Sequence, residues 1–262
     1  MKSTINSHLV SQVLLRRFAV KNDEDKWVTI QHDKDQGSES IKEVEHVACK
    51  EVPRKLIQLL EAEWSDEIEK HANKAINSLA HHNWTEAHFA TIKDLIALHL
   101  IRSQAFQMVE DNKDDLMNRI KVIRDEAMEE NPELSDVFNY LYEKEARDAT
   151  LDVSIGVLVE YIRKTRDFLT KPEIGLDIGF APEGKEFIIG EVPVISIFKD
   201  GKIAPITDAK YVGMPITPKI IVTLKTKPTR DKPVTLTPTE VDRVNQLQMK
   251  HTYKVFFSKP SK

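Results

Sequence analysis

Proline and glycine are distributed so unevenly that they divide the chain. Ten of the twelve prolines and six of the eight glycines follow Thr170, and both residues are rare between Val44 and Thr170. Helix interiors disfavour proline, which lacks an N–H and clashes with the preceding turn, and glycine, which loses too much backbone freedom. Strands joined by turns accept both at their ends. Residues 1–170 therefore read as a mainly helical part with an early strand, and residues 171–262 as a β-rich part with a late helix. Charge divides at the same place: 23 basic against 32 acidic residues give −9 up to Thr170, and 15 against 10 give +5 after it. The net −4 of the whole chain offers no reason for nonspecific nucleic-acid binding.

Composition excludes several classes. The single Cys49 rules out an internal disulfide framework and a cysteine zinc cage, and suits a reducing compartment. No run approaches the ~18 to 20 apolar residues of a bilayer span, and Met1 to Val10 has no apolar signal core. The expectation is a cytoplasmic protein with no membrane association. Glycine-rich phosphate loops, dinucleotide fingerprints, the G-x-S-x-G elbow and H-E-x-x-H are all missing.

Helical periodicity runs over Val44–Glu63, Asp66–Ala80, Thr85–Glu110, Asp114–Glu129, Pro132–Arg147 and Leu151–Leu169. Asn131-Pro132 marks a helix start, because a ring that lacks an N–H fits the first turn, where that donor has no acceptor. Strand patterns cover residues 26–31, Lys185–Gly190, Val194–Lys199, Lys202–Ile206, Lys219–Lys225 and Tyr253–Phe257, with Asp200-Gly201 as a hairpin turn. Thr237-Pro238-Thr239-Glu240 is a capping box that opens a late helix. The expected fold is α+β: an N-terminal bundle of five or six helices packed with a C-terminal, mostly antiparallel sheet. That sheet could include the strand near residues 26–31, and the two parts would form one continuous domain.

The most unusual pattern lies between Thr85 and Glu110. His88, Ile92, Leu95, His99, Arg102 and Phe106 recur at spacings of 4, 3, 4, 3 and 4, on one side of a helix. A buried Arg102 must find a carboxylate or carbonyl. Two readings stay open: a structural ion pair with hydrogen-bonded core histidines, or a polar pocket in which Arg102 binds an anion and a histidine moves protons. Near the start, His8 precedes Val10, Val13, Leu14 and Phe18, spaced as one face of a short helix, with Arg16 and Arg17 beside them. Those arginines are solvated charges or phosphate ligands. Glu43-x-x-His46 lacks the second pair that a di-iron site needs, and His81, His82 and Glu86 read as a solvated cluster. Lys219, Lys225, Lys227, Arg230 and Lys232, without interleaved aromatics, read as a solvated or docking face.

Four segments resemble a family when taken in order. His8 to Phe18, the strand Trp27 to Lys34, Leu100-Ile101-Arg102 and Met214 to Lys219 resemble landmarks of the bacterial domain-of-unknown-function family 4238. The resemblance covers nearly the whole chain, and no activity is assigned to that family. Ser11 stands where the family usually has proline, and Gly190-Glu191-Val192-Pro193 where it usually has Ser-Asp-Asn-Pro. Because the landmarks coincide with ionisable residues on apolar faces, the expected catalytic set is His8, His99 and Glu191. Arg102, Arg16 and Arg17 are the expected substrate ligands. The first functional reading is a bacterial or phage nuclease or phosphodiesterase-like hydrolase of a phosphate-bearing substrate, such as nucleic acid or a nucleotide. No metal ligand is assigned, and a divalent metal is left open, with Glu191 either helping to hold it or closing a structural turn. The alternative is a non-catalytic binding or regulatory protein, open to a protein partner, whose buried polar residues are structural.

Overall fold

The computed structural model describes residues 4–53, 66–137, 139, 164–165, 167–202, 204, 206–226 and 233–260. It is α+β. Twelve strands are β1 (Thr4–His8), β2 (Val20–Lys21), β3 (Trp27–Asp33), β4 (Glu39–Glu43), β5 (Cys49–Pro53), β6 (Ile174–Phe180), β7 (Ile189–Gly190), β8 (Ile195–Ile197), β9 (Tyr211–Thr217), β10 (Ile220–Thr226), β11 (Val234–Thr235) and β12 (Val255–Ser258). Among the described residues, the α-helices whose bounds are defined are α1 (Gln12–Leu15), α2 (Asp66–Ala80), α3 (Glu86–Glu130) and α4 (Pro238–His251).

The strands form an antiparallel β1-β5 pair, a sheet ordered β11-β6-β10-β9-β8, and a second ordered β2-β3-β12-β7 with β4 paired to β3. In the last, β3 and β12 pair Ile30 with Ser258 and His32 with Phe256, so strands from either side of Thr170 share one sheet. The core lies where α3 crosses the molecule. Ile92, Leu95, Ile96, Leu98 and Ile101 are buried there with Ala72, Ile76 and Leu79 of α2 and with Leu14, Leu15 and Phe18 of the opening segment. Each of these Leu, Ile and Phe side chains contributes roughly 1.5 to 3 kcal/mol by leaving water.

Several elements lie where periodicity places them. α2 spans Asp66–Ala80, and α4 opens on the Thr237 capping box, with Glu240 accepting from the Thr237 N–H at 2.7 Å. Others differ. The helix expected over Val44–Glu63 is a single 3-10 turn at Val44–His46 followed by β5, because Thr4–His8 supplies a strand partner that overrides local propensity; residues 54–65 lie outside the described set. The helices expected to part near residue 112 are one 45-residue helix, which contains no proline or glycine to break it. Pro132–Leu134 is a 3-10 turn; most of Pro132–Arg147 and Leu151–Leu169 lies outside the described residues. The described residues up to Thr170 thus hold five strands early in the chain beside the helices α1, α2 and α3, where the sequence leads one to expect a helical bundle with a single strand. No strand is assigned within Lys202–Ile206 among the described residues; β8 pairs with β9, and Gly201 at φ +82° allows the tight Phe198–Lys202 turn.

Candidate functional site

The predicted histidines and arginines fall into a network around α1 and α3. His99 is fully buried, and its Nε2 accepts the Ser11 backbone N–H at 3.1 Å, with Ser11 Oγ at 3.0 Å. Its Nδ1 lies 3.0 Å from the Leu95 carbonyl, which accepts only a proton donor, so the hydrogen sits there and the ring is neutral. Burial, and then the Arg102 charge, pushes His99 down to about 3. One turn on, Arg102 Nη1 donates to Glu69 Oε1 of α2 at 2.8 Å, which neutralises a buried guanidinium.

His8 ends β1 opposite Cys49. Its Nδ1 lies 3.1 Å from the Val47 carbonyl, and its Nε2 lies 3.1 Å from Gln12 Nε2. Gln12 Oε1 in turn accepts from Arg16 at 2.8 Å. Burial lowers the His8 pKa, although the Val47 bond works against it, and Arg102 and Glu69 act on it with opposite signs. Cys49 Sγ is 3.3 Å from His8 Nδ1, but burial raises its pKa, so it stays a thiol rather than a nucleophilic thiolate. Arg17 spans to Asn73 and Asn77 of α2 at 2.8 and 2.7 Å. Glu191 belongs to another network: its Oε2 accepts the backbone N–H groups of Lys254 and Val255 at 2.8 and 2.9 Å. The turn that it clamps reaches α3 through Tyr253, whose hydroxyl donates to the Ser103 carbonyl at 2.9 Å.

The depressed His99 pKa has a pH consequence. The unfolded chain takes up a proton at 6.5 that the folded chain refuses until about 3, so this contribution is complete above 6.5 and is lost on acidification. At roughly 1.4 kcal/mol per pH unit, lowering pH from about 7 to 5 removes about 2 kcal/mol of stability. Urea titrations at both pH values check this, and His99→Gln flattens the difference.

Sequence reasoning missed a cavity of about 470 Å³ between α4 and the second face of the β6-β10-β9-β8 sheet. Strand alternation creates it. In β6, Ile174, Leu176 and Ile178 point to the core, so Gly175, Asp177 and Gly179 face the other way. Register places Thr223 between Asp177 and Gly213. A Cβ on Gly213 would lie 2.3 Å from the Tyr211 hydroxyl, so the missing side chain lets that phenol lie over the sheet beside Thr223. Burial pushes Tyr211 up to about 12, with its Thr223 neighbour and the Arg243 charge opposing, so it is a neutral donor. One carboxylate oxygen of Asp177 is buried with no hydrogen-bond partner among the described residues. Lys199, Lys210, Lys225 and Arg243 line the cavity, with Ile197, Ile221, Val244 and Leu247 among its apolar walls. Glu240 also lines it, but spends its carboxylate on the α4 cap.

The family model described as Protein of unknown function (DUF4238) matches residues 6–262. The chain belongs to DUF4238. No curated protein and no solved structure matches it. The DUF4238 chain has, among its described residues, no helix long and apolar enough to cross a membrane and no group of three or more potential metal-ligating side chains. Ser11, where the resemblance leads one to expect proline, supplies an N–H to His99 that proline could not. The cue to the DUF4238 cavity was present in Ile174 to Phe180, where apolar residues alternate with Gly, Asp and Gly, but a lone alternating run does not reveal what covers its polar face.

Proposed function

We propose that this DUF4238 protein binds a phosphate-bearing small molecule in the cavity under α4, and that the ionisable residues around α1 and α3 hold the fold together. The observation that carries the reading is the convergence of Lys199, Lys210, Lys225 and Arg243 on one apolar-walled cavity. No ion pair engages these four among the described residues. Cations around an apolar pocket suit a ligand with an anionic end and a flat or aliphatic body. Asp177, Thr223 and Tyr211 then offer an acceptor and donors to that body, as a nucleoside monophosphate would need.

The hydrolase reading places His8 or His99 as the base, Arg102 on the phosphate, and Glu191 beside a histidine or a metal. It requires His99 to leave Ser11 and Glu191 to release two backbone N–H groups, while Arg102 already commits Nη1 to Glu69. Each exchange abandons a satisfied hydrogen bond of a buried or half-buried group. A cytoplasmic location, where the single Cys49 stays reduced, fits the binding reading.

Calorimetric titration with adenosine monophosphate tests it. Wild-type protein gives saturable binding that weakens with salt, and Arg243→Ala loses about tenfold in affinity, the equivalent of roughly 1.4 kcal/mol. His8→Gln leaves the affinity unchanged. No binding, or a loss confined to His8→Gln, contradicts the assignment.

A further inference from the structure

Three side chains on the sheet formed by β3, β4 and β12 make a chain of hydrogen bonds outside both sites. Register sets His32 between Phe256 on β12 and Glu39 on β4. Glu39 Oε1 lies 3.0 Å from His32 Nδ1, and Ser258 Oγ lies 2.7 Å from His32 Nε2. An ionised carboxylate only accepts, so Nδ1 carries the hydrogen and the Nε2 lone pair faces the Ser258 hydroxyl. This order of atoms lets an imidazole take a serine proton while a carboxylate holds its tautomer. The Phe256 ring stacks on His32 with centroids 4.6 Å apart and planes within 5°, which fixes the imidazole plane. The His32 side chain keeps 18% exposure and Ser258 is partly exposed; a groove of about 430 Å³, lined by His32, Lys34, Glu39 and Phe256 but not by Ser258, adjoins the His32–Glu39 end of this hydrogen-bond chain.

We propose that Ser258 is the nucleophile of an ester-hydrolysing site, with His32 as its general base and Glu39 as the group that positions His32. The Ser258 Oγ–H bond breaks, its proton passes to His32 Nε2, and Oγ bonds to the ester carbonyl carbon. The carbon–oxygen bond to the leaving alcohol then breaks, and His32 returns the proton to that oxygen. Water repeats the sequence on the acyl-serine, releasing a carboxylic acid and free Ser258. The attacked hydroxyl is the partly exposed Ser258 Oγ, so the substrate class is small carboxylic esters that reach it from solvent.

The test combines intact-mass analysis after treatment with a fluorophosphonate probe and initial rates on p-nitrophenyl acetate. The expected result is one adduct that peptide mapping places on Ser258, absent in Ser258→Ala. Labelling and turnover fall about 100-fold in His32→Gln, the lower end of what a general base contributes. Glu39→Gln slows labelling with Ser258 retained, separating a positioning role from a packing role. Ser258→Ala and Glu39→Gln change partly or largely exposed side chains, so they test the proposal even where His32→Gln fails to fold. No adduct on Ser258, or equal labelling in His32→Gln and Glu39→Gln, overturns it.

Discussion

Replacing Arg102 with alanine is expected to lower the free energy of unfolding by about 3 kcal/mol, the lower end of the range for breaking a buried ion pair. Arg102 is 7% exposed, and Glu69, at 29% side-chain exposure, already keeps some water. The loss arises less from the missing attraction than from a carboxylate left in a low-dielectric groove without its donor. Coupling gives the sharper form of the prediction. The double variant Arg102→Met, Glu69→Leu removes both charges and recovers much of the single-variant loss, as a thermodynamic cycle from urea unfolding would show. An unchanged midpoint in Arg102→Ala would mean that this pair does not hold α2 to α3, and would return Arg102 to the substrate-binding role.

Phe18→Ala is expected to cost about 4 kcal/mol, within the 3 to 5 typical of removing a buried aromatic ring. Phe18 is fully buried after the short α1 helix, and its carbonyl accepts the Thr29 hydroxyl of β3 at 2.8 Å. The carbonyl bond survives the substitution, so the loss comes from the buried ring, whose turn packs against β3, a strand whose partner β12 lies at the far end of the chain. A stability of 5 to 15 kcal/mol is usual for a protein domain, so this loss should be plain in a thermal melt. A change below about 1 kcal/mol would show that the opening segment folds independently of the sheet.

These residues also show what local sequence can and cannot convey. The limits of α2 and the cap of α4 were legible because each depends on neighbours within a few residues. β5 was not, because Cys49 to Pro53 becomes a strand only when Thr4 to His8 lies beside it. The unbroken α3 was missed because Asp111 to Lys113 looks like a junction, although nothing there breaks a helix. Arg102 was legible as a buried cation in need of a carboxylate, and Glu69 meets that need from a different helix. The cavity was illegible: Asp177, Tyr211, Thr223 and Arg243 converge only through strand register and the placement of α4. Ser258 and His32, separated by 226 positions, meet for the same reason.

The most direct test of the account is an amide-resolved nuclear magnetic resonance titration with adenosine monophosphate. The expected shifts cluster at Asp177, Tyr211, Gly213, Thr223 and Arg243, with His8, Ser11, His99 and Arg102 unmoved. Shifts centred on His8, His99 and Arg102, with the α4 cavity silent, would contradict it.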